Sequence, residues 1–274
     1  MKKLLLFVFV LTTAATSAQE MIKVKGNRQV TTEVSAIAPF KTLEISDDYE
    51  VEIIPGASPQ LEVTTDSNLH QYIEARVIDG QLVITSTARI RSKKEMKFRI
   101  IYGPELKSIM VTDNAVLSSV TSLEFKELDL SVEKDAKVYL TAKVTKLTLN
   151  AALNTKSELN LSGKNAVIHL RNKADLKALI KYENLDLHVG DRASAKIEGD
   201  IKNGKINLTE NASLEGKNLV IDELILTINN NARTGINVKN NLSIDSSDDA
   251  KVTLYNTPKI EIQQFIGKSV LNKE

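Results

Sequence analysis

Between Met110 and Leu254 the chain repeats one short phrase eight times: an Ile or Leu, five intervening residues, then Ala (once Thr) in a polar turn. The turn residues are Ala115, Ala136, Thr155, Ala174, Ala193, Ala212, Ala232 and Ala250, spaced 21, 19, 19, 19, 19, 20 and 18 apart. A period near twenty residues with no long apolar run describes a unit that cannot bury its own apolar face and must stack on its neighbours. Stacked coils supply a scaffold and a surface before they supply a catalyst.

Numbering each turn residue as position zero exposes the pattern. Position −6 holds Ile109, Leu130, Leu149, Ile168, Leu187, Ile206, Leu226 and Ile244, without exception aliphatic. Position −4 continues with Val111, Val132, Ala151, Leu170, Val189, Leu208 and Ile228, breaking at Ser246, and position +2 is mostly apolar from Leu117 to Val252. The odd positions, among them Asp129, Thr148, Lys205, Lys137 and Glu215, are mostly polar. Alternation with period two is the signature of strands with one buried and one wet face. Two short strands per repeat, paired in parallel from coil to coil at ~4.8 Å, predict an all-β, right-handed parallel β-helix. About eight coils at that rise give a rod of roughly 40 Å.

The residue before each turn Ala is Asn114, Asp135, Asn154, Asn211, Asn231 or Asp249, with Lys173 and Arg192 as exceptions. Asn and Asp tolerate the left-handed backbone, so this position is expected to carry the positive φ of the turn. The Ala beside it fits the crowded inside of a corner.

Before about Ser108 the spacing is lost, although short alternating runs such as Leu43/Ile45, Val51/Ile53 and Phe98/Ile100 continue. Asp79-Gly80 between two apolar runs reads as a hairpin turn, hence antiparallel. Residues 19–107 are therefore expected to form an N-terminal β subdomain capping the rod, residues 108–258 the repeats, and 259–274 a tail closing the far end. The first eighteen residues read as a secretory signal: Lys2 and Lys3, an apolar run from Leu4 to Leu11, then small residues ending in Ala18. That run is too short to span a membrane, and no later stretch reaches the roughly 20 apolar residues a spanning helix needs. The expected location is outside the cytoplasm: periplasm, outer surface or medium.

Loss of the signal removes two lysines and no acid, leaving a chain within one charge of neutral, with no basic field for nucleic acid. Cys and Trp are absent and aromatic residues make up 4% of the chain. Disulfides, thiolate metal sites and a deep aromatic pocket are thereby excluded or disfavoured. No cofactor is implied, and neither phosphate loops nor Ser-His-Asp spacings are present.

Candidate binding residues come from position −5, an outward column reading Ser131, Asn150, His169, His188, Asn207, Thr227 and Asp245. One coil apart, His169 and His188 should stack about 4.8 Å from each other. Asn150, His169, His188 and Asn207 form a sugar-binding strip on one reading and a solvated polar stripe on the other, and two adjacent imidazoles are able to hold a divalent ion weakly. No metal site and no catalytic residue is assigned. Asp129 and Asp186 share an outward column but stand three coils apart, about 14 Å, too far for paired acid and base work on one glycosidic bond. The run Asp245 to Asp249 reads as a solvated turn, with Ca²⁺ binding the alternative.

Tyr49 to Gly56 (YEVEIIPG), Asp66 to Leu69 (DSNL) and the eight turn-centred repeats together resemble the DUF2807 family, the autotransporter-adhesin head GIN domain of Gram-negative bacteria. The resemblance spans about Phe40 to Pro258. It implies a right-handed β-helix related in shape to pectin lyases, without shared catalytic residues, and adhesion as the role. Where that family has Ser-Gly at its turns, this chain has Asn-Ala or Asp-Ala, a change both backbone geometries accept. The resulting expectation is a non-enzymatic exported protein presenting sheet faces to a carbohydrate or protein partner at the cell envelope. Association of rods end to end is conceivable where their strand edges are uncovered. A polysaccharide-active enzyme and a structural envelope protein are the alternatives.

Overall fold

The computed structural model describes residues 21–274, so the expected signal at 1–18 lies outside the described residues. Extended strands account for nearly all of its regular structure, with one short 3-10 turn at His70–Tyr72. From Lys137 onward each coil is one long bent strand: Lys137–Ala151, Lys156–Leu170, Asp175–Val189, Ser194–Leu208, Ser213–Ile228 and Arg233–Ser246. Each pairs in parallel with the next, and the arm before each turn stays in register, so that Leu149 faces Ile168, Ile168 faces Leu187 and Leu187 faces Ile206. The result is a parallel β-solenoid.

The inside of the stack is what the alternation requires. Positions −6, −4, 0 and +2 are buried in every repeat, and the aliphatic members merge into one continuous apolar core. The columns continue unbroken because parallel pairing in register sets like over like.

The stack extends beyond the sequence repeat at both ends. Thr42–Ile45 pairs with Ser108–Val111, and Glu50–Pro55 with Val116–Ser119, so residues 42–55 form a further coil with Leu43 under Ile109 and Val51 under Leu117. Two features hide this coil from the spacing. Its position zero is Tyr49, not Ala, and residues 56–107 intervene before the next turn. Tyr49 is tolerated there because no repeat lies on its other side; its ring packs on Phe98, with centroids 4.8 Å apart. At the far end Lys259–Phe265 pairs with the second half of Arg233–Ser246 and Val270–Lys273 with Lys251–Tyr255, adding a coil from the segment expected to be a tail.

The intervening N-terminal segment is mixed. Val30–Ala36, Gln60–Asp66 and Met96–Tyr102 pair antiparallel, as do Ile73–Ile78 and Gln81–Ser86 around Asp79-Gly80. Gln81–Ser86 and Met96–Tyr102 then pair in parallel with the first coil, covering both of its strands.

The turns depart from expectation in one respect. Positive φ occurs not at position −1 but at −2: Asp113, Lys134, Leu153, Asn172, Asp191, Glu210, Asn230 and Asp248 all lie between 57° and 69°. The reason is the hydrogen-bond pattern. At each turn Ala, position zero donates its N–H to the carbonyl of position −3, as Ala193 does to Gly190 at 3.1 Å, which makes −2 the first central residue of a four-residue turn. Positive φ there and not at the next residue is the sign pattern of a type II′ turn. The −1 residue points its N–H along the stack to the −2 carbonyl of the coil before, as Arg192 does to Asn172 at 2.8 Å. Several −2 side chains cap the coil below in return: Asp191 accepts the N–H of Asn172, Asn230 that of Glu210, and Asp248 that of Asn230.

Candidate functional site

The four candidate residues come together. Asn150 pairs with His169, His169 with His188 and His188 with Asn207, so they occupy successive rungs of one outward column. They line a single surface cleft of about 410 Å³ together with Arg171, Gly190 and Thr209. The last three stand at position −3, two residues further along each strand and on the same face. Sequence reasoning missed them because that column carries no single chemistry; its signal is Gly190, where a row of side chains lapses between Arg171 and Thr209 and the surface dips. A Cβ at Gly190 would stand 3.3 Å from the Thr209 hydroxyl and begin to fill that dip.

The imidazoles of His169 and His188 stack with centroids 4.8 Å apart and planes at 17°. Asp186, two residues before His188 on the same face, brings its Oδ1 to 2.9 Å from His188 Nε2. His169 has its pKa pushed down by burial, then by the charge of His188 and of Arg171, against an upward pull from Asp186. A depressed pKa keeps the His169 ring neutral at pH 7, with one nitrogen donating and the other accepting. At the other end of the cleft, Asn207 Oδ1 is buried without a hydrogen-bond partner. The cleft thus offers donors and acceptors at rung spacing, flanked by one guanidinium and by the Asp186 carboxylate.

Larger hollows lie on the opposite arm of the coils. One of about 560 Å³ is lined by Tyr139, Leu159, Leu179, Lys177 and Lys196 among others, and one of about 800 Å³ runs past Lys196, Glu215, Lys217 and Tyr255. Several of their charged groups are already engaged. Lys196 pairs with Glu215 at 2.7 Å, Lys177 with Glu158 at 3.9 Å, and Lys217 lies over the Tyr255 ring. In the histidine cleft the Asn207 acceptor is left without a partner, as is the Thr234 hydroxyl in the second hollow. No group of three or more His, Asp or Glu able to hold a metal ion occurs among the described residues. Asp129 and Asp186 are connected through Thr148 and Val167 on successive rungs, which leaves them three coils apart. No helix among the described residues is long and apolar enough to cross a membrane.

A parallel stack with in-register aliphatic columns, corner turns and an antiparallel segment over its first coil defines a β-solenoid. The chain belongs to the DUF2807 family, described as "Putative auto-transporter adhesin, head GIN domain", whose model matches residues 39–166 and 142–258. Solved structures share the architecture. A "putative adhesin" from Parabacteroides distasonis superposes with a TM-score of 0.62 at 18% identity, covering 92% of this chain and 100% of that one. A "putative adhesin" from Parabacteroides merdae gives 0.60 at 19%, covering 92% and 99%, and a "putative lipid binding protein" from P. distasonis gives 0.59 at 16%, covering 92% and 99%. At these identities the likeness is one of fold. No curated protein matches the chain.

Proposed function

We propose that this protein is an exported, non-enzymatic binding module that adheres to a carbohydrate at the cell envelope through the cleft of Asn150, His169, His188 and Asn207. The observation that carries the reading is the convergence of these residues with Gly190 and Thr209 around one dip, with Asn207 Oδ1 left without a partner. A buried acceptor in want of a donor is costly, and a ligand hydroxyl would satisfy it once the Asn207 side chain turns toward the dip. Rungs ~4.8 Å apart are comparable with the length of a pyranose ring, so successive sugars would meet successive side chains. Family membership supports adhesion as the role and export as the setting.

The test is a glycan array on the purified protein followed by titration of the best binder with Asn150→Ala, His188→Ala and Asn207→Ala variants. Binding should weaken about 5- to 10-fold or more per substitution, as loss of one hydrogen bond to a buried group implies. Binding undisturbed in all three, with thermal unfolding intact, would remove the cleft from the account. Turnover of a polysaccharide that is lost on Asp186→Asn would replace adhesion with catalysis.

A further inference from the structure

The hollow of about 800 Å³ on the arm after the first turn is lined by five cations and two carboxylates. Both carboxylates are taken, Glu215 by Lys196 at 2.7 Å and Asp175 by the Ser194 hydroxyl at 2.8 Å. Glu274, at the rim, stands beside the Tyr255 hydroxyl. Of the cations, Lys177 reaches Glu158 and Lys217 lies over the Tyr255 ring. Arg233 and Lys251 are left over, and neither side chain has a partner among the described residues. They are register partners on adjacent rungs at position +1, with Ser213 on the rung before and Val270 on the rung after. Two like charges at ~4.8 Å repel, and no acid of that column stands next to them. The other like pair of the column, Lys137 and Lys156, does have Asp175 on its next rung.

Beside these cations the surface dips at Gly235, position +3 of the Arg233 rung, between Glu215 and Thr253. Nothing in the backbone asks for glycine there. Its φ is not left-handed, and an added Cβ would meet only the edge of the Tyr255 ring, at 3.3 Å. Glycine inside a strand weakens it and marks a place where something approaches closely. The neighbouring Thr234 is 5% exposed, and its hydroxyl has no partner.

We infer that this basin binds a phosphate group carried on a larger molecule, held between Arg233 and Lys251 over the gap at Gly235. Two adjacent cations without an acid match a doubly charged anion, and a guanidinium takes two phosphate oxygens at once. A tetrahedral anion has oxygens to spare beyond the two of a planar carboxylate. The Ser213 and Thr253 hydroxyls line the same basin and donate to them, and the Thr234 hydroxyl joins once it turns toward the dip. The hollow exceeds what one ion fills, so the rest of the ligand lies along it toward Lys217 and Tyr255. A sugar phosphate and a phospholipid headgroup present the same group. The basin lies on the opposite arm from the histidine cleft, and the inference stands whether or not that cleft binds a glycan.

The test is calorimetric titration with inorganic phosphate up to about 10 mM at low salt, with chloride at equal ionic strength as the blank. Beside it runs co-sedimentation with vesicles of phosphatidylcholine, alone or with added phosphatidic acid. Arg233→Ala and Lys251→Ala should each weaken binding at least fivefold, and the double variant should abolish it. Lys137→Ala, in the same column, should leave it unchanged. Gly235→Leu keeps every charge and fills the dip, so it should weaken binding as much as either alanine, with thermal unfolding confirming that each variant is folded. Phosphate bound without preference for phosphatidic acid assigns the site to a soluble phosphate ester, and sedimentation only with phosphatidic acid assigns it to a headgroup. Neither probe binding, or binding that survives the double substitution, would overturn the inference.

Discussion

Each coil bends twice, and the two corners are built on different principles. The first is the tight turn at position zero, with a left-handed residue at −2, a hydrogen bond from zero to −3 and Ala inside. At the second, the pairing skips one residue per coil, Lys164, Glu183 and Lys202 in the middle of the stack, and resumes at Asn165, Asn184 and Asn203. There Asn184 donates to Asn165 at 2.8 Å and Asn203 to Asn184 at 2.9 Å, forming a ladder of side-chain amides along the rod. One corner is set by what fits inside it. The other bends an extended strand by missing a rung and is tied together on its outside.

That contrast is open to attack at its tightest point, Gly163, which stands just before the second corner. A Cβ added there would lie 1.8 Å from the Val144 carbonyl oxygen, a backbone atom that cannot step aside. Gly163→Ala is expected to cost about 3 kcal/mol or more in urea unfolding. A loss under 1 kcal/mol would mean the second corner is loose and only the first is sterically specified. At the first corner, Ala193→Leu should cost roughly 1 to 3 kcal/mol, because the side chain is buried between Ala174 and Ala212 of the adjoining coils. An unchanged urea midpoint there would refute steric selection of Ala.

The first corner was legible in sequence because sterics leave few choices: eight of eight positions hold Ala or Thr, and every apolar column counted from them is buried. The placement of positive φ was misread by one residue. Position −2 includes Leu153 and Lys134, which hide the preference that Asp and Asn show elsewhere in the column. The second corner gave no comparable signal. A skipped rung asks only for a polar side chain, and an Asn ladder interrupted by Lys146 and Glu223 is not a repeat one residue type can announce. The site was legible by the same rule. Position −5 is counted from the turn and emerged intact, whereas Arg171, Gly190 and Thr209 share a face but no chemistry.

Two smaller effects separate the corners further. Thr155 is the one non-Ala in the corner column of the repeats, and its Oγ1 is buried without a partner, as is the hydroxyl of Ser157 two residues on. Thr155→Ala should stabilise by about 1 kcal/mol, since an unsatisfied buried hydroxyl disappears and the column becomes uniform. A destabilised variant would show that the hydroxyl has a partner in solution. Asn184→Ala, which removes the middle of the amide ladder at a half-exposed position, should cost only about 0.5 to 1 kcal/mol. If that loss matched Ala193→Leu, the outer tie would matter as much as the inner fit.

The smallest effect belongs to the stripe outside the first corner. The pKa of His169 is held below its ordinary 6.5 by burial first and by His188 and Arg171 next. Between that lowered value and 6.5 the unfolded chain binds a proton that the folded chain does not, so stability falls as pH drops through this window and levels off below it. His169→Asn, the residue found two rungs away at Asn207 and next door at Asn150, removes this proton uptake while keeping a polar side chain in the column. Urea midpoints at pH 7.5 and pH 5.0 should therefore move apart less in the variant than in the unaltered protein, and an NMR titration should place the His169 midpoint under that of an exposed histidine. Identical pH dependence in the two proteins would show that neither burial nor the neighbouring charges lower the His169 pKa, and would leave the stripe with geometry but no electrostatic consequence.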